Sequence, residues 1–153
     1  STEPEPEPET EPSICDGLSE VELWGQYYDI ETTTSIYLVQ QGLTGSIPPE
    51  IGCLTNLTWL DLSRNQLTGN IPSEIGNLTN LTNLTFFMNN LTGSIPSEIG
   101  NLTNLTYLVL YNNQLSGEIP PEVCDLIESN NWESWWTFED YILDGNNLIN
   151  TCE

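Results

Sequence analysis

The 153-residue chain carries 23 acidic residues against a single basic one, Arg64, and no histidine, for a formal charge of −22. Such a surface repels phosphate backbones and anionic headgroups, which excludes nucleic acid and an anionic membrane surface as partners. With neither His nor Lys, the usual general bases and nucleophile activators near neutral pH are missing, so the chain is expected to be non-enzymatic, with no cofactor and no metal site. In chain order, Ser1–Ser13 read STEPEPEPETEPS, a composition that favours extended polyproline II and reaches roughly 40 Å at about 3.1 Å per residue. This tail is long enough to touch another molecule. The chain opens on neither Met nor an apolar signal region, which suggests the mature form of a secreted protein. Ile14, Leu18, Val21, Trp24 and Tyr28 then space as one face of a short helix.

Beyond residue 30 the sequence repeats. Leu54–Asn77, Leu78–Asn101 and Leu102–Asp125 align without gaps at a period of 24 residues. Ile30–Cys53 is a degenerate copy, clear from Gly42, and Tyr141–Leu148 supplies the strand half of a further one after about nine extra residues. In each unit leucines stand at positions 1, 4, 7 and 9, as at Leu54, Leu57, Leu60 and Leu62. The pair at 7 and 9 puts two apolar side chains on one face of a short strand, and Gly69 and Pro72 turn the chain back. A single coil cannot bury its leucines, so neighbours stack about 4.8 Å apart and share a core. Asn65, Asn89, Asn113 and Asn146 recur where the strand ends and read as an inward amide ladder on turn backbone groups. Gln41 takes that place in the first coil, where the ladder should weaken.

LTGSIPPEIG, LTGNIPSEIGN and LTGSIPSEIGN, with the LTNLTxL strand motif, resemble the plant-type leucine-rich repeats of receptor kinases, polygalacturonase-inhibiting proteins and a leucine-rich-repeat antifreeze protein. The resemblance covers roughly residues 30–125 and the last strand. It implies an α/β solenoid, short and right-handed, of about five coils, with a concave parallel sheet and an IP-containing outer side. Open array ends need lids. The expected organisation is therefore an acidic Pro-rich tail over 1–13, an N-terminal cap over 14–29, repeats over 30–125, and the last strand with a C-terminal cap over 126–153. Two cysteine pairs near the chain ends, without C-x-x-C spacing, read as disulfides formed in an oxidising compartment. Cys15 would clip the first lid to Cys53, and Cys124 would bond Cys152. Trp132, Trp135, Trp136 and Phe138 are expected to cover the last coil.

Two outer surfaces are candidates for function. Seven N-x-T sequons, at Asn56, Asn77, Asn80, Asn83, Asn90, Asn101 and Asn104, are potential N-glycosylation sites in a secretory route. The competing reading is that Asn-Leu-Thr is simply repeat consensus. On the strands, the outward positions carry Tyr37, Trp59, Phe87, Met88, Tyr107, Val109 and Tyr111, a face more apolar than a solvated sheet and a predicted protein-contact patch. In the last coil the same alignment turns Asp140, Ile142 and Asp144 outward. From these features the leading expectation is a secreted, extracellular, glycan-bearing structural module whose partners are copies of itself in a fibre or layer. The alternative is recognition of a peptide, a carbohydrate or a secreted enzyme. A minor one is ice binding by threonine columns. Neither membrane insertion nor a nucleic-acid partner is expected.

Overall fold

In the computed structural model, residues 10–130 and 139–152 are described; the tail residues 1–9 and the Trp132–Phe138 stretch lie outside them. Strands β1 (Glu20–Leu23) and β2 (Gln26–Asp29) form an antiparallel hairpin, where the sequence suggested a helix. The reason is local. Glu20, Val21, Glu22 and Leu23 alternate exposed and buried, and Trp24 and Gly25 both take positive φ, the two-residue turn whose twist matches a hairpin. Val21 and Leu23 enter the core, whereas Ile14 and Leu18, assigned to the same buried face, stay exposed.

Each of the first four coils supplies one strand to each of two parallel sheets, and the fifth adds a strand to the second sheet alone. The first sheet contains β3 (Ser35–Tyr37), β5 (Trp59–Asp61), β7 (Asn83–Thr85) and β9 (Tyr107–Val109), in that order. Its register pairs Ile36 with Leu60, Leu60 with Leu84 and Leu84 with Leu108, so the position-7 leucines form one interior column. The second sheet runs β4 (Thr44–Gly45), β6 (Gln66–Asn70), β8 (Asn90–Gly93), β10 (Gln114–Glu118) and β11 (Asn147–Ile149). It is built from the LTG segments that the sequence treated as turns. Glycine is essential there: Gly69 and Gly93 hold φ of +73° and +76° inside their strands, a conformation costly for residues with a Cβ.

The third side of each coil is a 3-10 turn, at Pro49–Cys53, Ser73–Asn77 and Ser97–Asn101. In the fourth coil it lengthens into helix α1 (Pro121–Ser129), which buries Val123 and Leu126 and packs on the preceding 3-10 turn. Cys15 is bonded to Cys53 and Cys124 to Cys152, tying each end of the array to the adjoining coil.

The amide ladder links neighbouring coils through shared carbonyls. Asn89 Nδ2 donates to the Leu62 and Phe86 carbonyls at 3.0 and 3.1 Å, and Asn113 Nδ2 donates to Phe86 and Leu110 at 3.0 and 3.1 Å. Each carbonyl is thus held by rungs of two successive coils. Asn65, Asn89 and Asn113 also accept from the Leu43, Leu67 and Leu91 N–H groups. Asn146 continues the column with bonds to Leu110 and Ile142, at a separation of 36 residues from Leu110 where regular rungs span 27. The nine-residue difference equals the insertion, and the rung is kept across it. Gln41 is no rung; its amide turns outward to the Val39 carbonyl.

A candidate recognition face

Three aromatic pairs cross the first sheet, each bridging two coils. Tyr37 tilts against Trp59 with centroids 5.5 Å apart, Phe87 stacks on Tyr111 at 4.8 Å, and Tyr107 meets Tyr141 edge-on at 5.3 Å. These separations are those of favourable ring contacts, about 0.5–1.5 kcal/mol each beyond area burial. The chain's one cation joins the band, with the Arg64 guanidinium 5.7 Å from the Phe87 centroid. Tyr37 is 58% and Met88 40% exposed, while Trp59, Phe87, Tyr107 and Tyr111 are half-buried. Six of the seven predicted contact residues therefore present surface on this face.

Val109 does not. It is only 2% exposed, because it ends β9 between Tyr107 and Tyr111 and in register with Thr85 of β7. Rings at i−2 and i+2 share its face and shield it. Thr85 is buried in the same way. The alignment also turned Ile142 outward, yet it is fully buried in the core. Glu139–Leu143 form a π-helical turn rather than a strand, and its wider period swaps the two neighbours: Ile142 faces the core and Tyr141 joins Tyr107. Tyr141 is the member of the band that sequence reasoning placed inward. A pairing of Tyr107 with an aromatic beyond the insertion is visible only once that turn is known.

The floor of the face is polar and incompletely paired. Trp59 Nε1, Ser63 Oγ and Thr85 Oγ1 are buried without a hydrogen-bond partner among the described residues. Groups of this kind cost about 1–3 kcal/mol each. Burial is the main cause that pushes the Tyr107 hydroxyl up to about 12, with its Tyr141 hydrogen bond and the charge of Asp61 adding to it. The Tyr107 hydroxyl is therefore neutral at ordinary pH, and the charge carried by the band is that of Arg64.

At the rim, Gln40, Arg64, Met88 and Asn112 all take φ between 54° and 58°. They stand 24 residues apart at coil position 11, with the Arg64 guanidinium over the Phe87 ring of the next coil and the Asn112 amide against Gly145. Elsewhere, a cavity of about 540 Å³ beside the Cys124–Cys152 disulfide is lined by Ile119, Ile127, Asp125 and Glu128.

The sequons divide by geometry. The amides of Asn56, Asn80 and Asn104 donate to the Glu31, Thr55 and Thr79 carbonyls of the preceding coil at 2.9, 2.9 and 3.0 Å. Their partner hydroxyls on Thr58, Thr82 and Thr106 donate to the Thr34, Thr58 and Thr82 carbonyls at 3.1, 3.0 and 3.2 Å. Asn83 lies on β7 between Trp59 and Tyr107 in register. Asn77, Asn90 and Asn101 are exposed.

The Leucine Rich Repeat family model matches residues 56–78, 80–102 and 104–126, the same units the sheets stack. The chain is a leucine-rich-repeat protein of the plant extracellular type. The ectodomain of the receptor kinase SOBIR1 from Arabidopsis thaliana is 29% identical over 76% of this chain and 59% of its own, with a TM-score of 0.64. The plant peptide hormone receptor RGFR1, solved in complex with RGF2, is 42% identical over 73% of this chain and 20% of its own, with a TM-score of 0.60. A plant ice-binding protein is 32% identical over 75% of this chain and 34% of its own, with a TM-score of 0.61. This leucine-rich-repeat chain thus spans between 20% and 59% of these relatives' own length. No curated protein sequence gives a match. No helix among the described residues is long and apolar enough to cross a membrane.

Proposed function

We propose that this chain is a non-enzymatic, extracellular recognition module whose concave aromatic band binds an extended peptide segment of another protein. The observation that carries the reading is the band itself: three inter-coil ring pairs, partly exposed, on a sheet held rigid by the Asn ladder. Aromatic residues and Met are enriched at protein contacts, and a preformed sheet spends little entropy on ordering when a ligand docks. The receptor relatives point the same way, one of them a peptide hormone receptor. Two disulfides and the likeness to ectodomains support a place outside the cell. With a net charge of −22, the module favours ligands that are neutral or positive.

Self-assembly, ranked first on sequence alone, falls behind because the receptor ectodomains among the relatives favour recognition. The ice-binding likeness favours a second reading on the threonine columns. One of those columns, Thr58, Thr82 and Thr106, already spends its hydroxyls on stacking coils, while Thr55, Thr79 and Thr103 remain exposed.

The test is selection of a displayed random-peptide library on the full chain, followed by calorimetry with the resynthesised winners. Peptides of positive charge are expected, with affinity falling at least about tenfold, or 1.4 kcal/mol, in Trp59→Ala/Tyr111→Ala. Binding that ignores both substitutions would remove the concave face from the reading. Sedimentation of the same samples should show a monomer; concentration-dependent association abolished by the same substitutions would restore assembly.

A further inference from the structure

We propose that N-linked glycans of this chain sit on Asn77, Asn90 and Asn101, while the sequons at Asn56, Asn80 and Asn104 are structural and stay bare, as does Asn83. The inference rests on the extracellular reading above. Glycan transfer joins the asparagine Nδ2 to the anomeric carbon of a sugar carried on a lipid pyrophosphate. The carbon–oxygen bond to the pyrophosphate breaks, and the amide nitrogen gives up one of its two protons. A modified amide keeps one N–H and gains a bulky substituent on the same nitrogen.

At Asn56, Asn80 and Asn104 that nitrogen points into the coil before it, at hydrogen-bond distance from a backbone carbonyl. The sequon hydroxyl two residues on is tied to the same neighbouring coil. Coils stack about 4.8 Å apart, so a sugar on this nitrogen acts as a wedge between them. Asn130, at the end of α1, donates to the Thr103 carbonyl and closes the same column where no sequon exists. The column is therefore an element of stacking that happens to contain the sequon triplet.

Asn83 is half-buried, its Oδ1 lies 2.8 Å from the Thr82 hydroxyl, whose single proton it shares with the Thr58 carbonyl, and it stands in register beside Trp59 and Tyr107. A sugar there would cover the aromatic band. Asn77 and Asn101, in contrast, are the last residues of two 3-10 turns, and Asn90 opens β8. All three are exposed, and their side-chain amides make no hydrogen bond among the described residues. Asn77 and Asn101 are one coil apart, so sugars on both crowd each other; each should be filled less completely than Asn90.

The full chain is produced behind a secretion signal in a eukaryotic host and its occupied sites are mapped by enzymatic deglycosylation in heavy-oxygen water. That step converts a glycosylated Asn to labelled Asp. The expected label falls on Asn90 and on Asn77 or Asn101, with Asn56, Asn80, Asn83 and Asn104 unlabelled. Label on Asn56, Asn80 or Asn104 in a substantial share of secreted molecules overturns the inference, as does a secreted chain without sugar. Because the host supplies the route, these outcomes report on the fold; the recognition reading stands or falls on the peptide selection. In unglycosylated, oxidised protein, Asn80→Gln should lower the thermal midpoint and Asn77→Gln should leave it unchanged. Equal midpoints would remove the structural role of the Asn80 column.

Discussion

Two columns of asparagine run along this molecule with the same 24-residue spacing, one inside and one outside. The inner column, Asn65, Asn89 and Asn113, is 6–8% exposed and holds carbonyls of two coils at once. The outer one, Asn56, Asn80 and Asn104, is exposed and makes one bond per rung to the coil before. Both contribute donors to the same stack, yet water can replace the outer bonds and cannot reach the inner ones. Burial, more than the number of bonds, should decide what each column is worth.

The largest expected effect comes from breaking the inner column. Asn89→Ala leaves the Leu67 N–H without its acceptor and takes one donor each from the Leu62 and Phe86 carbonyls, a loss of about 2–3 kcal/mol. The guanidinium midpoint should fall while the slope stays the same. A loss no larger than that of an outer rung would contradict the comparison. Next comes Gly145→Ala at the coil after the insertion. Its φ is +65°, and an added Cβ would run into Asn112. A cost of about 2 kcal/mol is expected, read in the same denaturation experiment. If the substitution is silent, the fifth rung at Asn146 does not depend on that backbone turn.

On the outside, Thr82→Val removes a hydroxyl bond to the Thr58 carbonyl at 3.0 Å, though the Thr82 N–H still serves that carbonyl at 2.8 Å. The expected loss is under about 1 kcal/mol. A cost matching Asn89→Ala would mean that exposure is a poor guide to these ladders. A pH dependence, silent below pH 10, comes last. Tyr107 rises from 10.0 to about 12 in the folded chain, so the unfolded chain releases its proton first. Its contribution is intact below pH 10 and is lost as pH climbs toward 12. Alkaline titration by tyrosinate absorbance should show a late component that disappears in Tyr107→Phe, apart from the smaller upward shifts of Tyr27 and Tyr28.

The same contrast between inside and outside explains what could be read from the sequence. The leucine column and the amide ladder were legible because a 24-residue period repeats one chemical requirement at one place. Val109 shows the limit. Its outward direction follows from strand alternation, but its burial depends on the rings of Tyr107 and Tyr111 closing over it, which no period encodes. The first lid was ambiguous because Val21 and Trp24 fit a helical face as well as a hairpin; Gly25 and the alternation from Glu20 to Leu23 were the signals that favoured strands. The exchange of Tyr141 and Ile142 was hidden because the turn type after an insertion leaves no periodic trace.

The left-handed column at the rim has a consequence for how the surface can change. Gln40, Arg64, Met88 and Asn112 share one backbone conformation, and Gly145 takes it in the last coil. Four of these five differ in side-chain chemistry from glycine and from each other, so the turn constrains φ and leaves the substituent open. Branching at Cβ is what it disfavours. The side chains at Gln40, Arg64, Met88 and Asn112 can therefore be exchanged one coil at a time, whereas Gly145, where an added Cβ would meet Asn112, is fixed by the stack.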